Sequence, residues 1–227
     1  FFQAEDGIRD FCLSRGLGDV YKRQLEWLPQ EMVLYADALF HQSLRVCLPE
    51  NASFLSAEIV RLGRTAAEER LNQGCWRSCL EIQRHGAESP RWELVDRLEL
   101  GGSSLTDCHG LAGAPVFGSL VWAAPKPLSP EAISMLLKDA RDDRHGLIGT
   151  MRCSTLDQGL VARYIGPSSR DARFWFSRIW ARTRALRGLA LPRIPRVWPL
   201  QEQPLQDQPL QSLMFKENTA EAIAETH

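Results

Sequence analysis

Cys75-Trp76-Arg77-Ser78-Cys79-Leu80-Glu81-Ile82-Gln83-Arg84 alternates strictly between two sets of side chains. Trp76, Ser78, Leu80 and Ile82 form one set; Cys75, Arg77, Cys79 and Glu81 form the other. In extended chain, successive side chains point to opposite sides, so this period of two is the signature of a strand with one face turned inward. The following His85-Gly86-Ala87-Glu88-Ser89-Pro90 is rich in turn formers, and Trp92 to Leu100 returns as a second strand, which makes the unit a hairpin.

The same pattern extends in both directions. Upstream, Leu44, Val46 and Leu48 alternate with Ser43, Arg45 and Cys47. Pro49-Glu50-Asn51 reads as a turn and Phe54 to Leu62 as another strand. Downstream, Gly101-Gly102-Ser103-Ser104 reads as a loop and Val116 to Ala124 as an apolar strand. Ser129-Pro130-Glu131 then marks a helix start: a capping hydroxyl, proline at the first helical position, and an acid near the positive end of the dipole. Ile133, Leu136, Leu137 and Ala140 follow at helical spacing. Gly146 to Cys153 and Gly159 to Ile165 read as a strand pair. A second helix spans about Ser169 to Arg187, stopped by Gly188, with Ala172, Phe176, Ile179, Thr183 and Leu186 on one face, widened by Trp175 and Trp180. The sum is a mainly β protein with two helices toward its C-terminal end.

Both ends read differently. Gln3 to Asp10 is the translation of an oligonucleotide used to terminate sequencing libraries, and Ser14 to Gln24 is the translation of a transposase adapter. Residues 1–24 are therefore expected to be adapter-derived rather than native, and the native part to be a fragment lacking its N-terminal portion. Residues 25–199 are expected to form the folded domain. Gln201-Glu202-Gln203-Pro204-Leu205 nearly repeats as Gln206-Asp207-Gln208-Pro209-Leu210, a composition unable to build a core, so 200–227 is expected to be a disordered tail.

Composition limits the function. Of the 227 residues, 27 are Lys or Arg and 28 Asp or Glu, a net charge of -1, which argues against a dedicated nucleic-acid binder. No apolar run approaches the roughly 18 residues of a membrane helix. The six cysteines are not spaced as a disulfide framework, which points to reduced thiols and the cytoplasm.

The motifs are sparse. No nucleophile elbow, phosphate loop, zinc-protease helix or dinucleotide fingerprint occurs. Cys75 and Cys79 lack the second pair of a closed zinc site and read as two half-buried residues. Asp107-Cys108-His109 reads first as a loop closing before Gly110, with a metal pair or a reactive thiol as the alternatives; the thiol reading would make Cys108 the nucleophile of a hydrolase. Six arginines on the second helix (Arg170, Arg173, Arg178, Arg182, Arg184 and Arg187) read as a solvated basic face, with an RNA contact as the alternative. Charged and polar residues in apolar settings stand out more: Glu26, Gln30 and Glu31 around Trp27-Leu28-Pro29, Arg64 and Glu68 after a strand, and Arg163 inside Leu160-Val161-Ala162-Arg163-Tyr164. Such groups are costly unless paired or wet, so they form ion pairs or line a polar channel.

With those residues in view, the chain resembles the urease accessory protein UreD family, also called UreH. The matching words are Leu25-Glu26-Trp27-Leu28-Pro29-Gln30-Glu31, Leu62-Gly63-Arg64-Thr65-Ala66-Ala67-Glu68, Gly110-Leu111-Ala112-Gly113-Ala114-Pro115-Val116-Phe117, Leu160-Val161-Ala162-Arg163-Tyr164-Ile165-Gly166 and Pro195-Arg196-Val197-Trp198. The resemblance implies a layered, β-helix-like stack of strands with two helices. It implies a non-enzyme that binds apo-urease and UreF, which recruits the GTPase UreG, to deliver nickel to the urease site. It implies no tightly bound cofactor, with nickel only in transit through a polar route. Glu26, Glu31 and Glu68 are the candidate carboxylates of that route, because oxygen donors hold a borderline ion weakly. Gln30, Arg64 and Arg163 are the candidate polar or partner-binding residues.

Overall fold

The computed structural model describes residues 24–64, 67–69, 71, 74–86 and 89–194. The expectations for residues 1–23, for Thr65 and Ala66, for Pro195 to Trp198 and for the tail 200–227 lie outside these residues. Among the described residues, nine strands and two helices follow in the order β1 (Gln24–Trp27), β2 (Met32–Leu34), β3 (Leu39–Pro49), β4 (Ser53–Leu62), β5 (Cys75–His85), β6 (Arg91–Gly101), β7 (Val116–Ala123), α1 (Pro130–Asp142), β8 (Thr150–Leu156), β9 (Gly159–Gly166) and α2 (Ser169–Ala185). The mainly β class with two helices toward the C-terminal end is what the periodicities predict. The loop expected at Gly101–Ser104 is a short 3₁₀ turn over Gly102–Leu105, and the strand expected from Gly146 begins at Thr150.

Two sheets are stacked. The larger has the order β1-β4-β7-β9-β8, with β2 also paired to β4; the smaller is β3-β5-β6. The chain passes from the larger sheet (β1, β2) to the smaller (β3), back to the larger (β4) and again to the smaller (β5). Each return lands parallel to its predecessor, β4 beside β1 and β2, β5 beside β3. This is the coil of a β-helix. It ends at the antiparallel β5–β6 hairpin, after which β7, β9 and β8 continue the larger sheet in antiparallel pairing.

The larger sheet is covered on both faces, and β7 is buried at every position. Leu55, Ala57 and Ile59 of β4, Leu120 and Trp122 of β7, and Leu160, Ala162 and Tyr164 of β9 point to the helices, where they meet Leu136 and Ala140 of α1 and Ala172, Trp175, Phe176 and Ile179 of α2. Ser129 caps α1 by accepting from the Ala132 N–H at 3.2 Å, as its sequence predicts. The buried indole N–H of Trp175 donates to the Ala140 carbonyl at 2.7 Å, tying the helices together. Gly118 lets α2 approach the sheet, since a Cβ there would lie 2.9 Å from the Phe176 ring. Leu186, expected on the buried face of α2, is instead 44% exposed, because the helix ends at Ala185 before its last turn reaches the sheet.

The opposite faces of β4, β7 and β9 meet the smaller sheet in two separate apolar groups. One gathers Leu34, Val60, Leu62, Trp76, Leu100 and Phe117. The other gathers Val46, Leu48, Phe54, Ile82, Val121 and Ala123. What separates them is the candidate site.

Candidate functional site

Each inward-facing row between the sheets carries a polar residue at its middle. On β4 the row is Phe54, Ser56, Glu58, Val60; on β7 it is Phe117, Ser119, Val121; on β9 it is Val161, Arg163, Ile165. On the smaller sheet the corresponding residues are Gln42, Ser78 and Asp96. Register brings most of them level: Glu58 lies opposite Ser119, Ser119 opposite Arg163, and Gln42 opposite Ser78, whereas Asp96 lies opposite Leu80 and joins the row through Arg163. A hydrophilic seam therefore crosses the sandwich from the β3 edge of the smaller sheet to its β6 edge.

The seam is hydrogen-bonded across the two layers. The Gln42 amide donates to Glu58 and, at 3.0 Å, to Ser78 Oγ. The Arg163 guanidinium donates to Ser119 Oγ and to Asp96, and its cationic carbon lies 5.8 Å from the centre of the Phe117 ring. Ser56 and Ser119 are buried, whereas Gln42, Glu58, Ser78, Asp96 and Arg163 are partly exposed, so water reaches the row. Burial raises the Glu58 carboxyl above the usual carboxylate range. The Gln42 hydrogen bond and the Arg163 charge act the other way, and the Asp96 charge adds to the rise. Carboxylate, hydroxyl and amide oxygens are hard donors without a thiol or imidazole among them, a set that binds a borderline divalent ion weakly and reversibly.

Of the residues predicted from sequence, Arg163 is part of this seam. The others lie elsewhere. Glu26 receives the Arg184 guanidinium, whose Nη1 is 2.9 and 2.8 Å from its two oxygens, and Glu31 forms an ion pair with the buried Arg173. The β1–β2 segment is thus fastened to α2 at two points, with Gln30 exposed between them. Arg64 pairs with Glu69, not Glu68: its Nε lies 2.7 Å from the carboxylate, and its guanidinium covers the Tyr35 ring at 4.8 Å. Glu68 is exposed in a left-handed conformation, φ 56°.

Four of the six arginines, Arg173, Arg178, Arg182 and Arg184, do not form the expected solvated face. Arg173 is 2% exposed, Arg178 donates to the carbonyls of Asp143 and His145, and Arg182 grips Asp139 and Asp143 of the α1 end. Packing against α1 and the β1–β2 segment consumes the charge of these four. Cys75 and Cys79 lie on the outward face of β5, as their alternation predicts. Cys108 sits exposed on the turn before Gly110.

Sequence reading missed Gln42, Glu58, Ser78, Asp96 and Ser119. Their signal is one polar residue at the same depth in successive inward rows, but that depth is visible only once the strand register is known. Arg163 was conspicuous because its neighbours are apolar in an unbroken run.

A mainly β, two-layer scaffold with a hydrophilic seam and with helices locked on by ion pairs is the class these features define. A family model for the UreD urease accessory protein matches residues 22–199. A urease accessory protein UreD of Parasynechococcus marenigrum (strain WH8102) is 75% identical over 203 residues, covering 89% of this chain and 64% of that protein. One of Synechococcus sp. (strain WH7805) is 70% identical over 206 residues, covering 89% and 63%. One of Prochlorococcus marinus (strain MIT 9303) is 60% identical over 179 residues, covering 79% and 60%. The chain belongs to the UreD urease accessory protein family. It spans somewhat less than two thirds of the length of these relatives. No helix among the described residues is long and apolar enough to cross a membrane.

Proposed function

We propose that this chain acts in urease maturation as a non-catalytic cytoplasmic chaperone. It binds apo-urease and UreF, and through UreF the GTPase UreG, so that nickel is inserted into the urease active site. Nickel is cargo here, not a resident cofactor. The family membership supports the maturation role, and the observation that carries the metal role is the seam around Glu58. A partly hydrated row of oxygen donors between two apolar groups gives an ion somewhere to pause without trapping it. Glu58 and Asp96 are the carboxylates we assign to that passage. Glu26 and Glu31 serve it indirectly, by fixing the β1–β2 segment on α2, and Glu68 and Gln30 offer exposed polar contacts to a partner.

The test is reconstitution in a host carrying the urease and accessory genes without its own UreD. The chain should co-purify with UreF and urease and raise nickel-dependent urease activity. Glu58→Gln should keep both partners bound and lower the activation. Retention of neither partner, or activation that does not depend on the chain, overturns the reading.

A further inference from the structure

The loop between β6 and β7 carries a group that the seam does not use. Its frame is fixed from both sides. Leu105 and Leu111 pack into the inter-sheet core, and between them the Asp107 N–H donates to Ser103 O at 2.9 Å, Leu111 N–H to Ser104 O at 2.9 Å and Gly113 N–H to Leu105 O at 2.8 Å. The Asp107 carbonyl accepts from both Gly110 and Ala112 at 3.0 Å, and its carboxylate accepts the His109 N–H at 2.7 Å. Ala112 at φ 49° and Gly113 at φ 79° complete the reversal. This tight turn places a carboxylate oxygen of Asp107, the Cys108 sulfur and a ring nitrogen of His109 within 4.8 Å of one another, all on exposed side chains. Among the described residues, no other three His, Cys, Asp or Glu side chains come together in this way.

We propose that Asp107, Cys108 and His109 form a surface site for a late first-row divalent cation, of which Ni²⁺ and Zn²⁺ suit its donors. A thiolate and an imidazole select these ions over Mg²⁺ and Ca²⁺, which take oxygen ligands. Bonds of about 2.0–2.3 Å to one ion bring donors to roughly 3–4 Å from one another. Rotation of exposed side chains covers the remaining distance while the turn keeps its hydrogen bonds. Three protein donors leave further positions to water, so the ion stays exchangeable, unlike one in a closed structural site. The site is separate from the Glu58 seam in place and in chemistry, and it does not depend on any partner protein.

The experiment is a titration of the untagged full chain with nickel chloride, and separately with zinc chloride. It is followed by calorimetry and by thiolate-to-nickel charge-transfer absorption. One nickel ion per chain is expected, with a charge-transfer band. Cys108→Ser should abolish the band, and Cys108→Ser and His109→Ala should each weaken binding by about 10- to 100-fold, a range already seen when a ligand loses its outer hydrogen-bond partner. Asp107→Asn, which keeps the acceptor for the His109 N–H, should weaken binding with the band retained. Cys47→Ser, which removes an exposed thiol of β3 far along the sequence from the loop, should leave the charge-transfer band unchanged. The proposal is overturned by absence of binding, by a band that survives Cys108→Ser, by affinities unaltered in the three loop variants, or by loss of the band in Cys47→Ser.

Discussion

Glu26 and Arg184 lie 158 positions apart in sequence, yet both carboxylate oxygens of the one sit within 2.9 Å of the guanidinium of the other. The two side chains are 18% and 17% exposed, so the pair is largely withdrawn from water. It closes β1 onto α2. Charge-assisted hydrogen bonds of this kind contribute about 1.5–3 kcal/mol. Arg184→Ala should destabilise the chain by that amount in urea denaturation. A double-mutant cycle with Glu26→Gln should give a clear coupling energy; strictly additive effects would show that the contact does not hold the helix.

Arg84 is a second fastening, fully buried. Its guanidinium donates to the carbonyls of Pro49, Glu50, Ala52 and Ala124 at 2.7–3.0 Å and pairs with Glu93, itself 5% exposed. One side chain thereby joins the β3–β4 turn, the end of β7 and the β5–β6 hairpin. Arg84→Met leaves the buried Glu93 carboxylate only its exposed partner Arg91, at 3.3 Å, and leaves carbonyls unsatisfied, for an expected loss of about 3–5 kcal/mol. Replacing Glu93 by Leu in the same chain should recover part of the loss, because the uncompensated charge is then gone. No recovery in the double variant would place the cost in the carbonyls alone.

The seam makes a pH-dependent prediction. Burial raises the Glu58 carboxyl in the folded chain, so the folded state holds its proton more tightly than the unfolded chain does. The resulting contribution to stability is complete below the unfolded value, about 4.3, and is lost as pH rises through the raised folded value. Glu58→Gln cannot ionise and can still accept from Gln42. It should melt above the parent at neutral pH, with the difference vanishing as the solution is acidified toward pH 4. A lower melting temperature for the variant at pH 7 would mean that the ionised carboxylate stabilises the fold.

The outer edge of β3 predicts association. This 11-residue strand lies at the edge of the smaller sheet, with Leu39 80% and Phe40 39% exposed. Open apolar edges pair with other chains. Leu39→Lys should reduce concentration-dependent scattering while leaving the melting temperature of the monomer unchanged. Equal scattering would point to another surface.

Local chemistry made the elements legible. The alternation from Trp76 to Ile82 sets the face of β5 because side-chain direction depends only on the pleat. Ser129-Pro130-Glu131 starts α1 because capping needs nothing beyond its own turn. The family word Leu160 to Gly166 lies wholly on β9, and Glu26 and Glu31 stood out because carboxylates beside Trp27 and Leu28 demand partners. Their partners were not readable: Arg173 and Arg184 belong to a helix whose arginines, taken alone, look like a hydrated face.

Sequence by itself determined that this protein is a mainly β chain with two late helices and a set of family words, since periodicity and caps are properties of neighbours along the chain. Tertiary structure alone decided which polar residues share a depth, which arginine meets which carboxylate, and that Glu58, Ser119 and Arg163 stand in one row. The physical reason is register: shifting one strand by a single residue would turn Glu58 away from the seam and leave its local sequence unchanged.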